Sequence, residues 1–567
     1  MKRWALLVLG IACSLASAYG AMQLATYSWN QVVDYRSPFV DLDIERFTGA
    51  RPPLSSPVPD ATQRRTVVVL IDGLTDAASR SMRSLQELRE RGADVRLTAP
   101  QPSLSYPCWT TAFSGATPQI SGVTTNWYDG RVKVETLFDV ARGSGRRLAV
   151  AGPDDLDALY GVSSLTSATA LVPWGEGEYR SGRIVDSAIS LARDGRSDFL
   201  VALLPDVDDA GHAAGSASAR YASTVAKVDA DLSRLIDALD NGATVFAIFP
   251  DHGHTPEGGH GGWEDPVIHT FAVFAGPGVR HTQASARLED VAPTISVLAG
   301  MQSPRLARGM AIEDVLADGN GRAKDADFVR AAGFALAYAR EVGGPQAIAG
   351  VDTLGSRADI ERVMARADEQ RLASDRHERV PQALALAIAA LGALAVIGLA
   401  SWRALLASLA GVATYNAVFL SLYFLVHRFR WSLSTFNEES QVQAFFNARM
   451  AEAVLAGLVA CAVAAIVYAA LRKRPKGPRE GRTAGWLALG VATVLAIQAV
   501  LGLQVAWFLW RWGASCIWRL PDLFWGFKYD VDLLQTTALG VTAILGPAVT
   551  YAIGRWHPNA HRAEAQS

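Results

Sequence analysis

The 567-residue chain holds only four cysteines, Cys13, Cys108, Cys461 and Cys516, with no CxxC pair among them, which excludes a disulfide framework. No N-x-S/T sequon occurs anywhere. That argues against a eukaryotic secretory protein and for a bacterial envelope. The formal net charge is only -2, so there is no strongly basic surface and no nucleic-acid partner is expected. Before Cys13 the residues read Gly-Ile-Ala and lack the leucine of a lipoprotein box, which excludes a lipid anchor there. There is neither an internal repeat nor a low-complexity tract. One local absence is more telling. From Ser105 to Tyr128 there is no Lys, Arg, Asp or Glu, although the run is rich in hydroxyls and glycine.

What the chain has in quantity is apolar residues, 50% of the total, unevenly spread. Residues 1–22 join a positive start, Lys2 and Arg3, to an apolar run ending in Ala16-Ser17-Ala18. A cleaved signal peptide and a retained signal anchor both fit that pattern, with retention the favoured reading. Beyond Pro381 the composition changes. Apolar segments near 382–402, 404–426, 450–471, 484–510 and 533–554 are each long enough to span a bilayer, so 381–555 is expected to be a transmembrane domain of about five helices. The loop 472–482 carries Arg472, Lys473, Arg474, Lys476, Arg479 and Arg482, and the tail carries Arg555 and Arg562. The positive-inside rule therefore puts residues 23–380 outside the cytoplasm, together with the aromatic-rich loops 427–449 and 511–532. An integral protein of a bacterial inner membrane, with its large hydrophilic part extracytoplasmic, is the expected localisation.

Residues 60–320 alternate strand and helix signals. "RTVVVLIDG" (65–73) is short, β-branched and continuously apolar, as a buried parallel strand is. "DAASRSMRSLQELRERGA" follows and predicts one amphipathic helix closed by Gly92. "DFLVALLPD" (198–206), "ATVFAIFPDHG" (243–253) and the stretch His269–Gly276 repeat the strand pattern. The expected fold is α/β, a mainly parallel sheet flanked by helices, with ligands beyond the strand carboxyl ends. Residues 321–380 read as a helical linker to the membrane part.

Polar residues follow these strands. They are Asp72 after the first, Asp208 and His212 in "DVDDAGHAAG", and Asp251, His252 and His260 in "DHGHTPEGGHGG". Asp208 and His212 are four apart and share a helical face. Three carboxylates and three imidazoles form the mixed N/O set that borderline divalent metals such as Zn²⁺ take. Each alone has a plainer reading: Asp72 as a helix cap, Asp206 and Asp209 as solvated neighbours, His254 as an exposed loop histidine. Their order along the chain, with a hydroxyl between the first and second groups, is what singles them out.

That order resembles the alkaline phosphatase superfamily, specifically its nucleotide pyrophosphatase/phosphodiesterase branch, over about residues 65–315. The resemblance is carried by "LIDG", "PSLSYPCWTTAFSGATPQISGV", "DDAGH", "PDHGH", "GGHGG" and "EDVAPTISVLAG". It implies that Ser105, before Tyr106-Pro107, is the nucleophile. It implies one metal held by Asp208, His212 and His260, and a second held by Asp72, Asp251 and His252 with Ser105 as a further ligand. Asn126 is then the donor to the phosphoryl oxygen. Two Zn²⁺ ions about 4 Å apart suit that chemistry, deprotonating the serine and stabilising the charge on the transferring group. Two departures narrow the class. Sulfatases of the superfamily need Arg where this chain has Trp109, and monoesterases clamp a dianion with a guanidinium that the 105–130 stretch lacks. The layout of anchor, catalytic domain and multi-span carboxyl half is similar to the glycolipid phosphoethanolamine transferases. The expected activity is a membrane-anchored, metal-dependent phosphodiesterase or phosphotransferase acting on envelope lipid or glycan phosphodiesters. An ecto-phosphomonoesterase or nucleotide pyrophosphatase is the alternative, and a non-catalytic lipid-binding protein the third reading.

Overall fold

The computed structural model describes residues 2–49, 64–173, 178–193, 195, 197–351, 353–436, 440–472 and 479–556. The start of the expected 60–320 unit and most of the basic loop 472–482 lie outside the described residues, as does Arg562.

Among the described residues, eight strands form one sheet: β1 (Arg65–Ile71), β2 (Ala93–Thr98), β3 (Leu148–Pro153), β4 (Ala168–Val172), β5 (Phe199–Leu204), β6 (Thr244–Phe249), β7 (His269–Ala275) and β8 (Thr282–Arg287). Their spatial order is β4-β3-β5-β1-β6-β7-β2-β8. All pairings are parallel except those of β7, which runs against both β6 and β2. β1, β5 and β6 sit centrally and are buried almost throughout, because helices cover both faces. Burial on two faces is why these strands are apolar runs rather than alternating ones.

Two sequence-based expectations change, and a third segment gains packing partners. The segment after β1 is two short helices, Asp76–Ser79 and Arg83–Arg89, not one. Asp229, from the helix Ala219–Leu239, accepts from the amides of Arg83 and Ser84, so a distant side chain starts the second helix. The 321–380 segment, expected to be helical, is mostly helical and packs on its neighbours. Its helices Gly321–Gly343 and Arg357–Ser374 bury Phe334, Tyr338 and Met364 in a core shared with Phe39, Ile44 and Trp518. In the membrane half, two helices begin earlier than hydropathy predicts, at Gln441 and Leu523. Within the early turns, Arg449 and Lys528, which hydropathy reads as loop, are paired: Arg449 with Glu452 at 2.6 Å and Lys528 with Asp532 at 2.6 Å.

Among the described residues, six helices are long and apolar enough to cross a membrane: Trp4–Val33, Arg376–Ala400, Trp402–Val426, Gln441–Leu471, Thr483–Trp512 and Leu523–Trp556. The first packs against the last two. The Ser14 hydroxyl donates to Gln498 Oε1 at 2.8 Å, and Gln498 Nε2 donates to the carbonyls of Ser14 and Thr536. Gly490 lies so close to the helix around Pro547 that an added Cβ would sit 2.6 Å from its nitrogen. Such small-residue contacts let helix backbones approach where no hydrophobic effect drives them together.

Candidate active site

Because β1, β5 and β6 are adjacent and parallel, their carboxyl ends bring Asp72, Asp208 and Asp251 together in space. Gly73 permits the approach. It has φ +69°, and a Cβ there would lie 2.7 Å from the Asp208 Cα. Its amide donates to Asp251 Oδ1 at 3.2 Å. Ser105 opens the helix Ser105–Ser114, with Leu104 in extended conformation before it. The serine is buried, and its Oγ lies 3.3 Å from His252 Nε2. It makes no side-chain cap, since Leu104 holds the capping position.

Two groups of potential ligand atoms result. In one, His252 Nε2 lies 3.2 Å from Asp251 Oδ2 and 3.5 Å from Asp72 Oδ1. In the other, Asp208 Oδ2 is 3.2 Å from His212 Nε2, and His260 Nε2 is 3.1 Å from the same His212 nitrogen. The rings of His252 and His260 stack at 3.9 Å, which joins the groups. All six expected ligands and Ser105 are thus brought together. Asn126 stands at the rim, where its Oδ1 accepts from the Tyr106 amide at 3.0 Å. That leaves the donor end of its amide for another partner.

His254 departs from its expected place. It is fully buried, not exposed, and its Nε2 lies 2.6 Å from Asp208 Oδ1. Asp208, His252, His254 and His260 together have the spacing to hold a metal ion, as do Asp72, Asp251 and His252. The alternation in "DHGH", two imidazoles one residue apart on a loop at a strand end, was the available signal. Arg220 was also missed. It lines the same cavity of about 750 Å³ as Asn126, His212 and His260. Nothing near Ser105 in sequence announces it, because it comes from the start of a later helix.

The electrostatics show what the arrangement lacks. Both oxygens of Asp72 and the Oδ2 of Asp251 are buried without a hydrogen-bond partner. Burial, then the charges of Asp251 and Asp208, push Asp72 well above the usual carboxylate range. Asp251 is pushed up to about 8 by burial and by Asp208. Burial also raises Asp208, but pairing with His212 and His254 outweighs it and leaves that carboxyl well below its ordinary value. Burial lowers His252 to about 3 and carries His260 down too. Neutral His252 and His260, an ionised Asp208, and the crowded, buried carboxyls of Asp72 and Asp251, which give up their proton to a cation, are a donor set suited to divalent metals. A metal would supply the missing compensation for the unpartnered oxygens, so the residues fit one.

The sheet is mostly parallel, with a hydroxyl and two carboxylate–imidazole groups at its strand ends, and it makes the domain α/β. Residues 66–289 match the family model described as "Type I phosphodiesterase / nucleotide pyrophosphatase". A curated relative, 2,3-bisphosphoglycerate-independent phosphoglycerate mutase 2 of Methanosarcina acetivorans, is 29% identical over 141 residues, covering 24% of this chain and 26% of that protein. The chain therefore spans about a quarter of that relative's length. Among solved structures, murine ectonucleotide pyrophosphatase / phosphodiesterase 5 is 13% identical over 42% of this chain and 96% of its own, with a TM-score of 0.37. The phosphonate monoester hydrolase of Agrobacterium radiobacter is 16% identical over 45% of this chain and 77% of its own, with a TM-score of 0.38.

Proposed function

We propose that the chain is a metal-dependent phosphodiesterase or phosphotransferase of the bacterial inner membrane, acting outside the cytoplasm on a phosphodiester. The carrying observation is the convergence of the Ser105 hydroxyl with three buried carboxylates and their imidazoles at adjacent strand ends. In this reading Asp208, His212 and His260 hold one divalent ion, and Asp72, Asp251 and His252 hold the other with Ser105 as a further ligand. Zinc is the best match to the ligand set. When bound, such ions supply Lewis-acid stabilisation of the phosphoryl charge and favour the serine alkoxide. Ser105 Oγ attacks phosphorus, forming an O–P bond as the bond to the departing alcohol breaks. Water or an acceptor hydroxyl then attacks the same phosphorus and frees Ser105. Asn126 donates from its amide to the charge developing on a phosphoryl oxygen.

Support for a lipid-linked substrate, over a glycan, comes from the cavity. Trp29 and Val32 of the first membrane helix, with Phe436 and Leu523 of the membrane half, line it beside His212 and His260. An apolar wall continuous with the spans suits an acyl chain or prenyl carrier, while the phosphodiester reaches the cluster. The layout's likeness to glycolipid phosphoethanolamine transferases makes transfer the form we test alongside hydrolysis. Arg220 favours the second reading, an ecto-phosphomonoesterase or nucleotide pyrophosphatase, because its guanidinium gives the cavity a cation for further negative charge. Rates of purified protein on a chromogenic phosphodiester and on the matching monoester, with and without chelator, decide between them. Chelator-sensitive preference for the diester supports the first reading. Preference for the monoester overturns it, and equal rates with chelator remove the metals.

A further inference from the structure

The loop that carries His260 does not stand alone. His260 Nδ1 lies 3.0 Å from the Ser103 carbonyl, so its N–H donates there and its Nε2 is turned toward His212 and Asp208. Ser103, two residues before Ser105, bridges the same loop. Its hydroxyl donates to the Gly262 carbonyl at 2.7 Å, and its amide to that of Gly261 at 3.3 Å. The next contacts come from the membrane half. The Gly262 amide donates to Ser434 Oγ at 3.0 Å, and the Ser434 hydroxyl donates to Glu264 Oε2 at 2.7 Å. Ser432 Oγ accepts from the Ser434 amide, which holds that serine in place. The Trp263 indole donates to the Trp431 carbonyl at 3.0 Å, and its ring meets Phe524 at 5.6 Å. Ser432, Ser434 and Glu264 are all buried. Gly262 is so tightly enclosed that an added Cβ would lie 1.7 Å from Ser432 Oγ.

We propose that Ser434 is a positioning residue for His260, so that a loop of the membrane half completes the metal site of the α/β domain as well as anchoring it. This rests on the reading of His260 as a metal ligand. The physical reason is the order of contacts. Ser434 fixes the Gly262 amide and Glu264, that segment fixes the His260 backbone, and the Ser103 carbonyl then fixes the ring. Groups that orient a ligand by hydrogen bonds typically contribute about 10–100-fold to metal affinity. Ser434 touches no reacting atom, so its effect belongs in metal retention and kcat and not in KM.

The experiment uses full-length protein in detergent, zinc-loaded, with bound zinc counted as chelator is titrated. In Ser434→Ala, one of two zinc ions should leave at about tenfold lower free chelator. The kcat on bis(p-nitrophenyl) phosphate should fall by a similar factor with KM within about twofold of wild type, and Ser434→Thr should restore both. Trp263→Phe, which removes the bond to Trp431 and keeps the ring, should shift zinc retention the same way and serves if Ser434→Ala is not monodisperse. Wild-type zinc retention in folded Ser434→Ala or Trp263→Phe overturns the inference, as does a Ser434→Thr protein as weakened as the alanine form. A wild-type protein that binds no zinc overturns the metal assignment itself, and the inference with it.

Discussion

A serine hydroxyl is a weak nucleophile until its proton is removed or its oxygen is drawn onto a cation. The imidazole that Ser105 meets, His252, carries a lowered pKa from burial and is a poor base. Activation by metal is the arrangement's remaining route. Ser105→Ala should therefore abolish phosphodiester turnover in protein that still folds, measured by chromogenic assay beside a melting curve. More than about a tenth of wild-type rate would require a mechanism built on water. Asn126→Ala should keep zinc and fold and lose on the order of 100-fold in kcat, as loss of one oxyanion donor does. Zinc uptake should also depend on pH. The metal-free Asp251 carboxyl titrates at about 8, and zinc takes the ionised form. Below pH 8 a proton competes, so affinity should fall about tenfold for each pH unit and proton displaced. His252, lowered to about 3, adds no competition in that window. Zinc dissociation constants at pH 6, 7 and 9 check the slope, and an unchanged constant would remove Asp251 from the ligand set.

Among the secondary elements, position at a strand end matters more than helix propensity. The cluster exists because β5, β1 and β6 are neighbours, so loops far apart in sequence open on one edge. The helices around them depend on tertiary caps. Asp229 starts the helix Arg83–Arg89 by accepting from two backbone amides and from the Ser84 hydroxyl. Asp229→Ala should lower stability by about 1 kcal/mol and leave kcat on a chromogenic diester unchanged, since the residue is remote from the cluster. A melting curve and the same assay test both halves. The periodicity of residues 76–93 predicts a single helix because it registers apolar spacing and is blind to a capping carboxylate 146 residues away.

At the scale of the whole molecule, the α/β domain packs on the loop at 431–434, and the helix Gln441–Leu471 carries the chain from that side to the opposite end of the bundle at Arg472. Reporter fusions after Gln370 and within 472–482 should therefore report opposite sides of the membrane, the first outside. Agreement between them would refute the topology. The first helix is built into the bundle through Ser14 and Gln498, so we expect it to be retained in the mature protein. The intact mass of purified protein should include residues 1–18, and a mass lacking them would show cleavage after Ala18.

The residue types of the cluster, the strands that carry them and the apolar spans were legible in the sequence, because local periodicity and the order of motifs record them. Burial of His254 was not legible. A histidine in a glycine-rich loop looks exposed until Asp208, 46 residues earlier, is seen 2.6 Å away. The starts of two spans were hidden because Arg449 and Lys528 count as polar in sequence, whereas in the bundle Glu452 and Asp532 pair with them. Arg220 reached the cavity only through packing of its helix beside Asn126 and His260, and Ser434 reached the His260 loop from 172 residues away in chain. Chemical identity is local and survives in a string of letters. Which groups share a low-dielectric pocket, and therefore which charges need a partner, is set by distances that only the packed chain defines.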